Sequence, residues 1–327
     1  MLIGTLLAGV AILVGPWSCR GGYSGKVESI TIACPRLESS ALIWIAEGQH
    51  FFILNGLNVT FHEPDTGLAS LNELFKGEAD IAGTSEFPVV GKALNRERIL
   101  TIGCIDKADY MFLVGRKDRG IEKVSDLKGK RVRTLPGTIL DFYLGRFLNL
   151  NGMNMRDIIL VDVKTSGESA SAIINGSIDA VVVAEPYASS IKDSLGANAV
   201  VWGVQSSQSL YGLMVSTEEW IRRHPDLVTR FLNSLSQAED YLLRNPTEAK
   251  AIVQKRLNVD VAFVQAAWSR NQFSLSLDQA LIAAMEDEAR WMISNSLTPE
   301  KQVPDFLNYF YVDGLKAVKP GVVSIIR

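Results

Sequence analysis

GEADIAGTSE at Gly77–Glu86 and GSIDAVVVAE at Gly176–Glu185 repeat one pattern in two distant parts of the chain. In each copy an aspartate follows the glycine by three residues, and a glutamate follows the aspartate by six. The apolar residues between the two acids predict a short buried strand with a carboxylate at its carboxyl end. If two lobes carry these strands and face each other, Glu86 and Glu185 are expected to line the gap between them.

Each repeat closes a longer unit in which strands and helices alternate. The first unit has predicted strands at Ser29–Cys34 and Asn58–His62 and predicted helices at Ala41–Gln49 and Leu68–Phe75. The second unit has predicted strands at Arg131–Thr134 and Ile158–Val163 and predicted helices at Thr138–Leu150 and Ser169–Ile174. Pro88 is expected to open a further helix in the first unit. Such β-α-β-α-β units are typical of mainly parallel sheets.

Two apolar extended segments, Tyr110–Val114 and Leu210–Ser216, are predicted to cross between the lobes. Helical patterns dominate the rest of the chain, beginning with one predicted helix over Thr217–Arg244. We therefore predict an α/β fold with two similar, mainly parallel-sheet lobes joined by a two-stranded hinge, and a helical C-terminal tail packing on the first lobe. The predicted boundaries are a leader at 1–24, lobe 1 at 27–112 plus 213–327, and lobe 2 at 113–212.

The composition favours a soluble globular protein, since 47% of the 327 residues are hydrophobic, 21% are charged and the net charge is -3. A charge so close to neutral gives no reason to expect nucleic acid as a partner. Three histidines and three cysteines leave little material for a metal site. No Gly-rich phosphate loop follows a strand, and no histidine lies beside a candidate nucleophile, so we expect no catalytic residues and no cofactor. The enzymatic alternative is a carboxylate pair, Glu86 with Glu185, acting across the cleft.

The N-terminus has the apolar character of an export signal. Met1–Val14 is about the length of a signal-peptide core and too short to span a bilayer comfortably. Cys19 after Ser18 offers a weak lipoprotein-type attachment point, and an ordinary secretory cleavage nearby is the alternative. Either route predicts a periplasmic or extracytoplasmic protein. Export permits a disulfide between Cys34 and Cys104, but their apolar strand positions favour two buried free thiols.

Four segments at strand ends are candidates for a binding site: Pro35–Ser40, Thr84–Phe87, Pro136–Thr138 and Glu185–Tyr187. Helix starts at the carboxyl ends of strands present free N–H groups and a positive dipole end, which favour an anionic group on a ligand. Hydroxyl donors in these segments are Ser39, Ser40, Ser85 and Thr138. The alternative is that each hydroxyl caps its own helix.

A purely anionic ligand is disfavoured by three predicted cleft carboxylates, Glu38, Glu86 and Glu185. Each of them needs a counter-charge or water in a closed cleft. Arg36 and Arg133 are candidate partners, and an amine on a zwitterionic ligand is another. Glu185 is alternatively expected to cap the helix after Pro186 or to bridge the lobes to an arginine. Two tyrosines, Tyr187 and Tyr211, lie at the predicted lobe margins. Their rings are expected either to stack on a ligand or to pack within the protein.

Several motifs in this order resemble the nitrate/sulfonate/taurine group of ABC-transporter solute-binding proteins. They are Ser125–Lys130, Ala184–Tyr187, Gln272–Leu277, Ala289–Trp291 and the tail Asn308–Pro320. The resemblance implies a type II periplasmic-binding-protein fold whose lobes close on a small molecule and deliver it to an ABC-type permease in the membrane. It also implies ligand contacts at Pro35–Ser40, Thr84–Glu86, Gly137–Thr138 and Glu185–Tyr187.

The resemblance leaves the ligand open. Relatives that bind thiamine-pyrimidine precursors share the fold, and the Cys-rich motif of the pyrimidine-making members is absent from this sequence. We therefore expect a monomeric receptor for a small anionic or zwitterionic solute such as a sulfonate, nitrate or taurine. A pyrimidine-precursor or other metabolite binder and an enzyme or sensor on the same fold are the alternatives. The predicted binding residues are Arg36, Glu38, Ser39, Ser40, Thr84, Ser85, Glu86, Gly137, Thr138, Glu185, Tyr187 and Tyr211.

Overall fold

The computed structural model describes residues 23–134, 138–161 and 166–326. Cys19, Gly137 and most of the predicted leader lie outside these ranges. The strands are β1 Glu28–Ala33, β2 Leu57–His62, β3 Ile81–Ser85, β4 Ile99–Ala108, β5 Met111–Arg116, β6 Arg131–Arg133, β7 Ile159–Val161, β8 Ala180–Ala184, β9 Ala199–Gly203, β10 Leu210–Thr217 and β11 Asn271–Gln272.

The helices alternate with the strands in both lobes and then fill the C-terminal part. They are α1 Ala41–Gly48, α2 Phe51–Leu54, α3 Gly67–Lys76, α4 Glu86–Leu94, α5 Ile139–Leu150, α6 Ser166–Ile174, α7 Tyr187–Leu195, α8 Glu218–Arg223, α9 Pro225–Arg244, α10 Pro246–Leu257, α11 Val261–Trp268, α12 Gln279–Ser294 and α13 Val312–Val318. Across the three described ranges, none of these helices is both long and apolar enough to cross a bilayer.

The two sheets share one topology. The first has the order β11-β4-β10-β3-β1-β2, and the second has the order β7-β6-β8-β5-β9. Strands β1 to β4 run in one direction with β10 antiparallel between β3 and β4. In the second sheet β5 is the antiparallel strand, inserted between β8 and β9. This arrangement confirms the predicted α/β fold with two similar, mainly parallel lobes.

The chain passes from the first sheet to the second over residues 109–110 and returns over residues 204–209. The predicted crossing segments themselves lie within single sheets, β5 in the second and β10 in the first. The boundaries predicted at 112/113 and 212/213 therefore fall inside strands. Ladder hydrogen bonds hold a strand in its own sheet, so the change of direction takes place in the short segments between strands.

The glycine and the aspartate are equally spaced in the two copies of the sequence repeat, and they form the same local structure in both lobes. Gly77 ends α3 with φ 74°, and Gly176 follows α6 with φ 80°, which is the left-handed region that favours glycine. The Asp80 carboxylate then accepts the Thr31 N–H at 2.7 Å, and the Asp179 carboxylate accepts the Arg131 N–H at 2.8 Å. Each aspartate thus joins the start of one strand to its parallel neighbour.

Two helix boundaries differ from the predicted ones, and each lies close to a proline. Helix α4 begins at Glu86, and Pro88 lies in its first turn, where the missing N–H costs no helical hydrogen bond. The predicted helix over Thr217–Arg244 is broken into α8 and α9, because Pro225 cannot continue α8 and instead occupies the first position of α9.

The tail packs on the first lobe as predicted, and it also reaches the second. Helix α9 packs against α1, α2 and α13, with the ring of Phe231 stacked on that of Phe52 in α2 at 6.0 Å. Helix α12 packs against α4 of the first lobe, while its Trp291 meets Phe142 of α5 edge-on at 5.8 Å. The tail therefore contributes to the contact between the lobes.

Cys34 and Cys104 are both buried and free, which confirms the prediction of two free thiols. Burial raises the pKa of the Cys34 thiol to about 12. Its sulfur lies 3.1 Å from the Ser40 hydroxyl. These thiols pack as small apolar groups and are held in their unreactive protonated form.

Candidate functional site

A cavity of about 440 Å³ lies between the two sheets and takes its walls from both lobes. The first lobe contributes the segment after β1, the start of α3 and the carboxyl end of β3. The second lobe contributes the start of α5 and the segment that joins β8 to α7. Its size is ordinary for a small-molecule site, and its position at strand ends is the one that open α/β sheets use for ligands.

Most of the predicted site residues meet at this cavity. Those that line it are Arg36, Glu38, Ser39, Ser40, Thr84, Ser85, Thr138, Glu185 and Tyr187. Gly137 lies outside the described residues. The remaining two predicted residues, Glu86 and Tyr211, do not contribute to the lining.

Glu86 is fully buried behind the cavity wall. One of its oxygens accepts the backbone N–H of Tyr211 at 3.0 Å. Burial raises the pKa of Glu86 to about 8, and hydrogen bonds from backbone groups and from the Glu288 carboxyl oppose that rise. The prediction that Glu86 stands at the cleft is corrected accordingly: it is a buried structural group with a raised pKa that holds β10 beside α4.

Tyr211 belongs to the same wall through its backbone, because its neighbours Leu210 and Gly212 line the cavity. Its own side chain is 6% exposed, and Lys107 Nζ lies 5.8 Å from the ring centroid. Tyr211 therefore packs in the protein, which is the second of the two roles expected for it.

Glu185 reaches the cavity, but its carboxylate is already engaged. It accepts the backbone N–H and the hydroxyl of Ser189, each at 3.0 Å, within the first turn of α7. Arg270, from the tail, lies 4.0 Å from the same carboxylate. Both structural roles expected for Glu185 are thus present: it caps α7 and bridges the lobes to an arginine.

The hydroxyl groups divide into those with partners and those available to a ligand. Thr138 accepts the N–H of Leu140 at 3.3 Å and so caps α5, while Ser40 donates to the carbonyl of Pro35 at 3.2 Å. In contrast, Ser85 precedes α4 without capping it, and the buried Thr84 hydroxyl has no hydrogen-bond partner among the described residues. The hydroxyls of Thr84 and Ser85 are therefore available to form hydrogen bonds with a ligand in the cavity.

Two residues of opposite charge follow β1 at the cavity. Arg36 is exposed, and Glu38 is 8% exposed with a pKa raised by burial. Neither forms an ion pair with a residue in the described part of the chain. A guanidinium group and a carboxylate without ion-pair partners in the described residues suit a ligand carrying both charges.

Several residues of the cavity wall were not predicted from the sequence. Asp65 and Thr66 follow β2 and line the cavity. The Thr66 hydroxyl caps α3 by accepting the Ala69 N–H at 3.1 Å. A threonine placed shortly after a predicted strand and just before a helix is a sequence signal that could have identified this cap. Gly67 is required there because a Cβ would lie 2.8 Å from the Cα of Thr84. Phe263 of α11 also lines the cavity, and nothing local in the tail sequence indicates that placement.

A family model described as NMT1/THI5 like matches residues 38–249, more than half of the chain. A Bacillus subtilis (strain 168) protein named "Putative aliphatic sulfonates-binding protein" is 25% identical over 265 residues, covering 80% of each chain. A Haemophilus influenzae protein named "Putative thiamine biosynthesis protein" is 25% identical over 235 residues, covering 70% of this chain and 73% of that one. The chain spans 63% of the length of a Brucella abortus "Putative binding protein" that it matches at 25% identity.

Solved structures give the fold. The periplasmic aliphatic sulphonate binding protein of Escherichia coli superimposes with a TM-score of 0.74 at 17% identity, covering 87% of this chain and 97% of that one. At this identity the likeness establishes the architecture alone. Together these matches confirm the resemblance to solute-binding proteins and the periplasmic-binding-protein fold.

Proposed function

Because the chain belongs to the NMT1/THI5-like family, we propose that it is an extracytoplasmic receptor that captures a small anionic or zwitterionic solute and delivers it to an ABC importer permease. The observation that carries this proposal is the cavity between the two sheets, with helix starts and hydroxyls from both lobes at its walls. The aliphatic sulfonates named for the Bacillus relative are one solute class with the required anionic group.

Capture would proceed by closure of one lobe on the other. The two short crossings at 109–110 and 204–209 are the positions where backbone torsions can change while both sheets stay intact. Closure around a solute removes water from the cavity and strengthens each polar contact within it. A micromolar dissociation constant would correspond to about -8 kcal/mol of binding free energy.

The charges at the wall favour a zwitterion over a simple anion. Arg36, the Thr84 and Ser85 hydroxyls and the start of α4 suit an anionic group. Glu38, which has no protein counter-charge in the described ranges, opposes a ligand that is negative throughout. A solute such as taurine, with a sulfonate and an ammonium group, satisfies both ends.

The test is thermal melting of the purified protein against sulfonates, nitrate, taurine, amino acids and pyrimidines. A solute present at a hundred times its Kd should raise the stability by about 2.7 kcal/mol. A shift with taurine or another zwitterion supports the proposal. Absence of a shift with every sulfonate, nitrate and zwitterion at millimolar concentration would contradict it.

A second candidate solute is a thiamine-pyrimidine precursor. The name of the Haemophilus relative points to that metabolism, and a Glu38 carboxylate can accept a hydrogen bond from an amino group on the ring. In the same melting series, stabilisation by aminopyrimidines and not by sulfonates identifies this candidate.

Three further parts of the proposal have their own tests. Lipid attachment at Cys19 predicts a diacylglyceryl mass on the mature N-terminus, and simple cleavage predicts none. Monomeric behaviour predicts the mass of one chain in light scattering. A receptor, unlike an enzyme on the same fold, returns its solute chemically unchanged after long incubation.

A further inference from the structure

Two buried carboxyl groups belong to the wall that the first lobe presents to the cavity. Glu38 lies in a single 3-10 turn after β1 and lines the cavity while only 8% exposed. Asp106, near the end of β4, is fully buried, and neither of its carboxylate oxygens has a hydrogen-bond partner among the described residues. The 3-10 turn packs against β4, so both groups belong to the same part of the wall.

A β-bulge brings Asp106 to this wall. Gly212 of β10 pairs with Asp106, while the next residue, Leu213, pairs with Cys104, so Ile105 is the extra residue on β4. Bulges commonly redirect side chains beside binding sites. Ile105 and Gly212 both line the cavity, and a Cβ at Gly212 would stand 3.2 Å from the Cβ of Asp106. Asp106 therefore lies directly behind the lining.

Within the part of the chain that the structure describes, neither Glu38 nor Asp106 forms an ion pair with a positively charged side chain. Burial raises the pKa of each, and the charge of Glu38 raises the pKa of Asp106 further. Burial raises the pKa of the Tyr110 phenol, which lines the cavity, and the charges of Glu38 and Asp106 raise it further. Lys107, the next residue along β4, is held by Asp278 at 2.6 Å, and the Lys107 backbone N–H gives Asp106 a weak contact. A buried acid of this kind keeps its proton while the cavity is empty, and a cation bound beside it favours the ionised form.

We propose that this wall is a cation subsite: the solute carries an organic ammonium or amidinium-type group that binds to Glu38, with Asp106 adding negative charge from behind. This inference rests on the proposed receptor function and narrows its solute class. A charged nitrogen donor supplies the missing counter-charge through a charge-assisted hydrogen bond in a place with little water. The apolar lining, which includes Met111, Leu213 and Phe263, favours an organic cation over a hydrated inorganic ion.

The first test uses the unaltered protein and compounds that differ in one amino group. Binding is measured by isothermal titration for taurine against ethanesulfonate, β-alanine against propionate, and 4-aminopyrimidine against pyrimidine. We expect the amine of at least one pair to bind about tenfold more tightly or better than its amine-free match. The pair that binds distinguishes an aliphatic ammonium from a heteroaromatic amine.

The outcomes separate this inference from the receptor proposal. If an amine-free anion binds as tightly as its amine or more tightly in every pair that binds, the cation subsite is overturned and the receptor proposal stands. If no compound of either kind binds, both are contradicted.

The second test uses Glu38→Gln and Asp106→Asn, with the exposed Glu78→Gln as control. Glu38→Gln is expected to weaken the binding amine about tenfold or more and to leave the amine-free compound within about twofold. Asp106→Asn should give a smaller loss in the same direction, and Glu78→Gln should give none. A Glu38→Gln protein that melts like the wild type and keeps the full preference for the amine overturns the subsite.

Discussion

The two repeated glutamates occupy matching positions in the sequence and very different surroundings in the structure. Glu185 faces the cavity and meets Ser189 and Arg270. Glu86 is fully buried beside the equally buried Glu288, because α12 of the tail packs against α4. Two carboxyls in contact away from water hold a proton between them, since ionising both would place like charges side by side.

Replacing Glu86 with glutamine should flatten the pH dependence of stability. The pKa of Glu86 is raised from 4.5 to about 8, with burial as the main cause. Below 4.5 the folded and unfolded chains both hold the proton. Between these two values the unfolded chain releases it and the folded chain keeps it, so the folded state loses about 1.4 kcal/mol for each unit that the pH rises.

This prediction is checked by urea unfolding at pH 5 and pH 8. The wild type should lose more stability than Glu86→Gln over this interval, because glutamine still offers an oxygen to the Tyr211 N–H and cannot ionise. Glu78→Gln, at an exposed position in the same lobe, should keep the wild-type pH dependence. Identical pH profiles for Glu86→Gln and the wild type would refute a titrating role for Glu86.

Among the secondary-structure elements, the sequence repeat specifies the end of a helix and the pairing of the next strand with its neighbour. The glycine and the aspartate have the same structural role in both lobes. Gly77 and Gly176 end helices in the left-handed conformation, and Asp80 and Asp179 then hold the next strand against its neighbour. These contacts join residues that are close in sequence or that lie on adjacent parallel strands. The spacing of the repeat alone therefore predicted correctly that the two lobes have like topology.

Gly77→Ala is expected to lower the free energy of unfolding by about 1–2 kcal/mol, the cost of placing a side chain at φ 74°. No atom of the described residues lies within 4 Å of the added methyl group, so the expected cost is backbone strain. The matched control is Gly91→Ala inside α4, where the added methyl also meets nothing within 4 Å and should stabilise by about 0.5–1 kcal/mol. Chemical denaturation measures both, and equal effects of the two substitutions would contradict this account.

At the scale of the whole molecule, the sequence predicted the lobes and most of the cavity wall, because strand ends and helix starts follow from local patterns. It did not predict what distant segments bring to the same place. The burial of Glu86 depends on Glu288, the position of Asp106 depends on a bulge opposite Gly212, and Phe263 arrives from the tail. Each of these placements depends on tertiary packing or on strand register, which the local periodicity of hydrophobic residues does not indicate.

We propose that the two lobes close on a small solute held between their sheets. Small-angle X-ray scattering tests it most directly, on the free protein and on the protein saturated with whichever solute raises the melting temperature most. We expect a smaller radius of gyration for the complex at an unchanged molecular mass. A saturating solute that stabilises the protein and leaves the radius of gyration the same would contradict closure between the lobes.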